Sequence, residues 1–314
     1  MLGYLNADYF LGGEMKVNTE KARTAVNEVI AKPLGLSIEE GAAGIFRIIN
    51  QNMADATKVV SVQRGHDPRE YTLVSAGGAC SIHACKIAEE VGSTSVLVPK
   101  AASVFCALGM LESDIRLDSV RTFNGMIPGL DLAAFNAVIA DAEAKALEEL
   151  LQEGVEKERA SLLRYLDVRY VGQHHEVTIE IPEACVINEK DVAEITERFH
   201  RAHERLYTYS TPENPIGIMN LRITAVGAVE KTKVEKGKTG SADSAHALKG
   251  KRKAYFEELG GFIDTPVYDR GKLAPGNKVS APAIIEERIT TVIVHPGWEL
   301  EVDAYGNIMM EVVK

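Results

Sequence analysis

The segment Tyr71–Gly92 and the few residues after it constrain this chain more than any other part of it. YTLVSA is a short apolar run. Two adjacent glycines, Gly77 and Gly78, end it, the amphipathic stretch ACSIHACKIAEEVG follows, and TSVLVP is a second apolar run. Strand, helix and strand in that order, joined by short turns, require a parallel pair with a right-handed crossover, which places the chain in the α/β class. The glycines fall at a strand's carboxyl end, where open sheets bind ligands. Paired glycines allow positive φ and remove Cβ atoms, so a flat ligand or a phosphate can lie on the backbone. On spacing alone a tight strand-to-helix turn needing one positive φ is the favoured account of them, since a glycine pair is a weak signal. The pattern is neither GxxxxGK[ST] nor GxGxxG. Ser81 and His83 follow on the first turn of the helix, where a neutral imidazole can donate to a ligand or simply pack.

Around this core the pattern continues to alternate. NTEKARTAVNEVIAKPLG starts at a cap on Asn18 or Thr19 and stops at Pro33. Ser37 and Glu40 form a capping box that opens one long amphipathic helix through Val60. A further helix is expected from about Asp131 to Gly154, then strands SLLRYLDVRYVG and HEVTIEI, helix EKDVAEITERFHRAHERLY and strand IGIMNLRITAVGAV. EKTKVEKGKTGSADSAHALKGKRK is polar and reads as a linker or mobile loop. From Ala254 onward, short apolar runs broken by Pro and Gly predict a small, barrel-like antiparallel β domain. The expected divisions are 1–125, an α/β lobe portion; 126–230, a second α/β unit; 231–253, linker; and 254–314, β domain.

Composition excludes several functions. With 45 acidic against 35 basic residues the net charge is -10, which opposes binding to nucleic acid. No apolar run reaches the ~18–20 residues of a membrane span, and MLGYLNADYFLGG lacks the layout of a secretory signal. A cytoplasmic location is the default expectation. Cys80, Cys85, Cys106 and Cys185 show no CxxC spacing and read as reduced thiols. His174 and His175 in GQHHE would alternate across a strand, too far apart for one metal. His200 and His203 lie at i, i+3 on a helix, either as a metal face or as part of an amphipathic surface. Asp114 and Asp118 are cation candidates without a supporting cluster. No Ser-His-Asp set or nucleophile elbow is present, and no metal site is expected.

Taken together, LNADYFLGGEMKV, QNMADATKVVSVQRGHDPREYTLVSAGGACSIHA, CALGMLESDIRLDSVRTF, RYVGQHHEVTIEIP, FHRAHERLYTYSTPENPIGIMNLRITAVG, FIDTPVYDR and APAIIEERITTVIVHPGWELEVDAYGN resemble the hydantoinase A/5-oxoprolinase family, in order over nearly the whole chain. That resemblance implies a partial ribonuclease-H-like lobe of the actin/Hsp70/sugar-kinase superfamily. It also implies ATP-dependent hydrolysis of hydantoins or 5-oxoproline, or the related chemistry of acetone and acetophenone carboxylase subunits. The family segment matching Leu73–Ala84 reads close to LVAFGGAGPLHA and resembles an adenosine loop. The resemblance therefore assigns cofactor contact to Gly77, Gly78 and Ala79, with Ser81 and His83 beside them. This chain departs at Ala76, where an aromatic is usual, and at Cys80 and Ser81, where Gly-Pro is usual. Loops of the form DxGGTxTD, which hold Mg²⁺ and phosphates in the family, are absent from the sequence. The expectation is a C-terminal half, whether a split-gene subunit or a truncated product, contributing the adenosine side of an ATP site and inactive without its N-terminal partner. A hydantoinase B-type subunit is a second expected partner, and a non-catalytic assembly subunit is the alternative of a different class.

Overall fold

The structure is a computed structural model describing residues 1–184 and 186–313. Cys185, among the expected thiols, and Lys314 lie outside the described residues. Seven α-helices are described: α1 (Thr19–Val26), α2 (Lys32–Leu34), α3 (Ile38–Val60), α4 (Cys80–Val91), α5 (Phe105–Glu112), α6 (Leu132–Gln152) and α7 (Glu189–Tyr207). The strands are β1 (Leu73–Val74), β2 (Ser95–Val98), β3 (Ile115–Ile127), β4 (Ala160–Tyr170), β5 (Val177–Glu180), β6 (Ile216–Gly227) and β7 (Leu248–Phe256). They continue as β8 (Gly261–Asp269), β9 (Lys278–Ser280), β10 (Ala283–Glu286), β11 (Thr291–Val294), β12 (Trp298–Val302) and β13 (Ile308–Val312). They form two compact units, one of residues 1–111 with 233–314 and one of residues 112–232.

In the first unit, β1 and β2 pair in parallel around α4, as the strand–helix–strand pattern requires. β13 then pairs antiparallel with β2, matching Ile308 to Val98, and β12 and β9 complete a five-stranded sheet in the order β1-β2-β13-β12-β9. A second sheet runs β11-β10-β8-β7, with β8 and β10 parallel. β10 and β11 are buried on both faces, so neither shows alternation. Ile285, Val292 and Val294 join Val96, Trp298 and Met310 in one core, while Ile284 and Ile293 join Tyr4, Ile82 and Phe256 in another.

This pairing corrects the expected boundary at Ala254. The residues from there on do not form a separate β domain, because their strands finish the sheets and core begun by β2 and α4. Nor is 231–253 all linker. β7 starts at Leu248, and the polar stretch before it is pinned by Gly237 N–H to the Ala304 carbonyl (2.7 Å) and Gly240 N–H to the Pro275 carbonyl (2.8 Å). The first lobe ends near Leu111 rather than 125, because β3 pairs along its length with β6.

The helix signals hold. The Asn18 side chain caps α1, although the helical course passes Pro33 and ends at Gly35 in left-handed conformation. The Ser37–Glu40 capping box opens α3, with Ser37 Oγ accepting from Glu40 N–H at 3.1 Å and Glu40 accepting from Ser37 N–H at 2.8 Å.

In the second unit the sheet is antiparallel, in the order β3-β6-β4-β5. α6 buries Phe135, Ile139, Ala142, Ala146 and Leu150, and α7 buries Val192, Ile195, Phe199 and His203, each at the 3–4 residue spacing of one helix face. Asp167, 1% exposed, accepts from Thr178 Oγ1 (2.7 Å), Asn220 (3.0 Å) and Arg222 (2.8 Å). Burial opposes its charge, but these donors prevail and hold the carboxyl below the usual range.

Candidate functional site: the glycine loop

Gly77 sits just past β1 at φ +104°, in the left-handed region where a side chain is strained. Its N–H donates to the Ala102 carbonyl at 2.7 Å, tying the loop to the segment after β2. A Cβ built on Gly77 meets nothing within 4 Å, so the space it would fill is open. Gly78 is confined instead. A Cβ there would come within 2.9 Å of the Ile289 carbonyl, while the Gly78 carbonyl accepts from Thr290 Oγ1 at 2.8 Å. Ala79 caps α4 without any side-chain hydrogen bond, leaving the first-turn N–H groups uncapped by a side chain. Gly78, Thr290 and Ile289 border a small cleft of about 50 Å³ together with Asn6, Tyr9 and Phe10.

Ser81 and His83 do not share that surface. The Ser81 hydroxyl is fully buried against Ser75 Oγ at 3.0 Å, a contact that fixes the two ends of the loop to each other. His83 lies one turn along α4, with Nδ1 2.7 Å from Asn50 Oδ1 and its ring stacked on Phe46 at 4.8 Å between centroids. Burial lowers its pKa, which favours the neutral ring. Thus Gly77, Gly78 and Ala79 shape the open face, Ser81 braces it, and His83 belongs to a neighbouring aromatic cluster.

Sequence reading missed Ile289, Thr290 and Ala102. Ile289 and Thr290 are more than two hundred residues from the loop, and only the pairing of β13 with β2 and the packing of β10 and β11 in the same core bring them near.

The other candidates resolve into structural roles. His203 is fully buried, with Nδ1 2.8 Å from the Tyr209 carbonyl and Nε2 within 3.2 Å of the Gln173 amide. His200 Nδ1 lies 2.7 Å from the Tyr170 hydroxyl. The pair is neither a metal face nor a surface stripe; His203 fills the core and His200 supports it. His174 and His175 are exposed in the turn before β5 rather than on a strand. Asp114 accepts from Val229 N–H (3.1 Å) and Lys231 Nζ (2.5 Å), and Asp118 accepts from Thr224 Oγ1 (2.5 Å). Among the described residues no group of three or more His, Cys, Asp or Glu side chains could hold a metal ion. Cys80, Cys85 and Cys106 are free thiols, as expected, and burial pushes the Cys85 thiol up to about 12. Among the described residues no helix is long and apolar enough to cross a membrane.

The fold is shared with two solved proteins. The ATP-dependent caprolactamase from Pseudomonas jessenii superposes with a TM-score of 0.85 at 32% identity, over 100% of this chain and 46% of that one. Nucleotide-free acetone carboxylase superposes with a TM-score of 0.79 at 28% identity, over 99% of this chain and 45% of that one. The fold is therefore that of the actin-like ATPases, as expected from the resemblance. The Hydantoinase/oxoprolinase profile matches residues 1–119 and the Hydantoinase/oxoprolinase C-terminal domain profile matches 131–311, so the chain belongs to the hydantoinase/oxoprolinase family. The caprolactamase subunit alpha of P. jessenii is 34% identical over 306 residues, covering 96% of this chain and 44% of the relative. The chain spans less than half the length of such relatives.

Proposed function

We propose that this chain supplies the adenosine side of an ATP site in an ATP-dependent hydrolase of cyclic amide C–N bonds. The observation that carries this reading is the asymmetry of the glycine pair. Gly78 is locked against Ile289 and Thr290, while Gly77 holds its missing side chain over open space. That is a rigid, Cβ-free backbone surface onto which a flat base or ribose can settle. Gly77, Gly78 and Ala79 form the contact face, Ser81 positions the loop through Ser75, and His83 supports α4 from behind through Asn50.

Magnesium carried on nucleotide phosphates needs only one or two protein carboxylates, and the DxGGTxTD loops that supply them in the family are absent from this sequence. Phosphate positioning and metal binding are accordingly assigned to a companion polypeptide carrying DxGGTxTD loops, with a hydantoinase B-type subunit as a further partner. Bound ATP would supply phosphoryl activation of the lactam oxygen; this chain's part is to hold and orient the nucleoside. A site fed by ATP implies a cytoplasmic setting.

Exposed apolar side chains support the need for a companion. On α5, Met110 is 80% and Leu111 77% exposed, and on α3, Ile48, Val59 and Val60 face outward. The lactam reading is favoured over ketone carboxylation by the closer fit to caprolactamase than to acetone carboxylase in both superposition and identity. The deciding experiment mixes this chain with the companion and follows ATP turnover on caprolactam, 5-oxoproline, hydantoin, and acetone with bicarbonate. Lactam- or hydantoin-dependent turnover is expected. Turnover only with acetone and bicarbonate would overturn the hydrolase reading, and full activity of this chain alone would overturn the shared site.

A further inference from the structure

A second cavity in the first unit, of about 200 Å³, is bordered by α3, α4 and the turn after β7. That volume far exceeds the ~10–15 Å³ one water needs. Its walls include the rings of Tyr4, Phe46 and Tyr255. Its charged lining is unbalanced. Arg47 pairs with Glu257 at 2.9 Å, and Lys86 is shared between Glu89 (2.7 Å) and Glu258, leaving Glu90 as a fourth carboxylate on the same cavity with no third cation among the described residues that line it. Four carboxylates against two cations give the opening an excess of negative charge.

At the inner end lies His295, also part of the lining and only 1% exposed. Neither of its ring nitrogens has a hydrogen-bond partner. The Ile82 backbone favours the protonated ring, against burial and the Lys86 charge, which lower its pKa. Phe46 stacks over the imidazole at 6.1 Å, while Tyr4 and Phe256 meet it edge-on at 5.8 and 5.5 Å. Leaving the polar atoms of a buried imidazole without partners is unfavourable. A ligand N–H would satisfy the acceptor nitrogen of the neutral ring.

We propose that this cavity is a binding site for a small organic cation, an ammonium compound carrying a ring or short apolar body. The aromatic walls take its apolar part and the face of its charge. The excess carboxylates attract the ammonium, and His295 accepts one of its N–H bonds. The cavity shares no lining residue with the cleft that Gly78, Ile289 and Thr290 border, so it stands or falls independently of the nucleotide reading.

Benzylammonium is a direct probe, followed by calorimetry on the full chain with benzyl alcohol and benzoate as controls. One benzylammonium per chain is expected, with benzyl alcohol about tenfold weaker and benzoate not bound. Glu90→Gln, at an exposed helix position, and His295→Leu should each weaken benzylammonium several-fold. Both variants are first shown folded by circular dichroism. Absence of saturable binding, equal binding of the alcohol, or unchanged affinity in a folded Glu90→Gln would overturn the proposal.

Discussion

At the scale of single residues, the two glycines carry different burdens. Valine at Gly78 drives a Cβ into the Ile289 carbonyl, a backbone atom that cannot rotate aside. We expect Gly78→Val to lower stability by about 1–3 kcal/mol, read as a lower denaturant midpoint, and to weaken adenosine nucleotides as the loop shifts. A Cβ at Gly77 meets no atoms within 4 Å, so the steric effect of Gly77→Val falls mainly on the ligand, with a strain cost of about 1–2 kcal/mol from the positive φ. The ratio of binding loss to stability loss should therefore be greater for Gly77→Val than for Gly78→Val, and the reverse order would show that the open face is not the ligand face. His295 gives a separate signature. Burial foremost, then the Lys86 charge, pushes its pKa down to about 3. A histidine that stays neutral when folded but protonates near its ordinary pKa of ~6.5 when unfolded contributes stability that is full above that pH. The contribution is lost progressively as pH falls toward the folded value. His295→Leu should flatten the loss of stability between about pH 6.5 and 3; an unchanged slope in denaturant titrations would show that other groups set it.

At the scale of elements, local chemistry was readable wherever one element satisfied its own pattern. The capping box at Ser37, the Asp131 cap and the apolar faces of α6 and α7 follow from spacing alone, and the strand–glycine–helix–strand run dictated a parallel pair. Elements defined by distant partners were not readable. β3 alternates in exposure along most of its length, and Asp118 on it reads in sequence as a cation candidate because only the pairing with β6 brings Thr224 to its carboxylate. β10 and β11 are buried on both faces and so lack any period. β7 begins in a polar stretch, LKGKRK, whose side chains are largely exposed. α5 illustrates an element whose sequence requires something beyond its neighbours. It is strongly apolar, yet none of its residues is buried. If that face meets a companion chain, Met110→Asp with Leu111→Asp should abolish co-purification with the companion while leaving the thermal midpoint of this chain within a few degrees, since surface changes are worth about ±0.5 kcal/mol. Retained co-purification would place the interface elsewhere.

At the scale of the whole molecule, the chain threads its first lobe in two passes, with residues 112–232 forming the other unit between them. That arrangement explains why the candidate site was half legible. Gly77, Gly78 and Ala79 stand together in the sequence, whereas Thr290 and Ile289 join them only after the second pass closes the sheets. The loop leaves open space over Gly77, and among the described residues no group of three or more His, Cys, Asp or Glu side chains could hold a metal ion. The central claim is that this chain recognises the adenosine moiety and not the phosphates. Calorimetric titration of the isolated chain with adenosine, AMP and ATP, with and without Mg²⁺, tests it directly. The account predicts similar weak affinities for all three, within about threefold or ~0.6 kcal/mol, no dependence on Mg²⁺, and no hydrolysis. Mg²⁺-dependent ATP binding with turnover, or no response to adenosine at all, would contradict it.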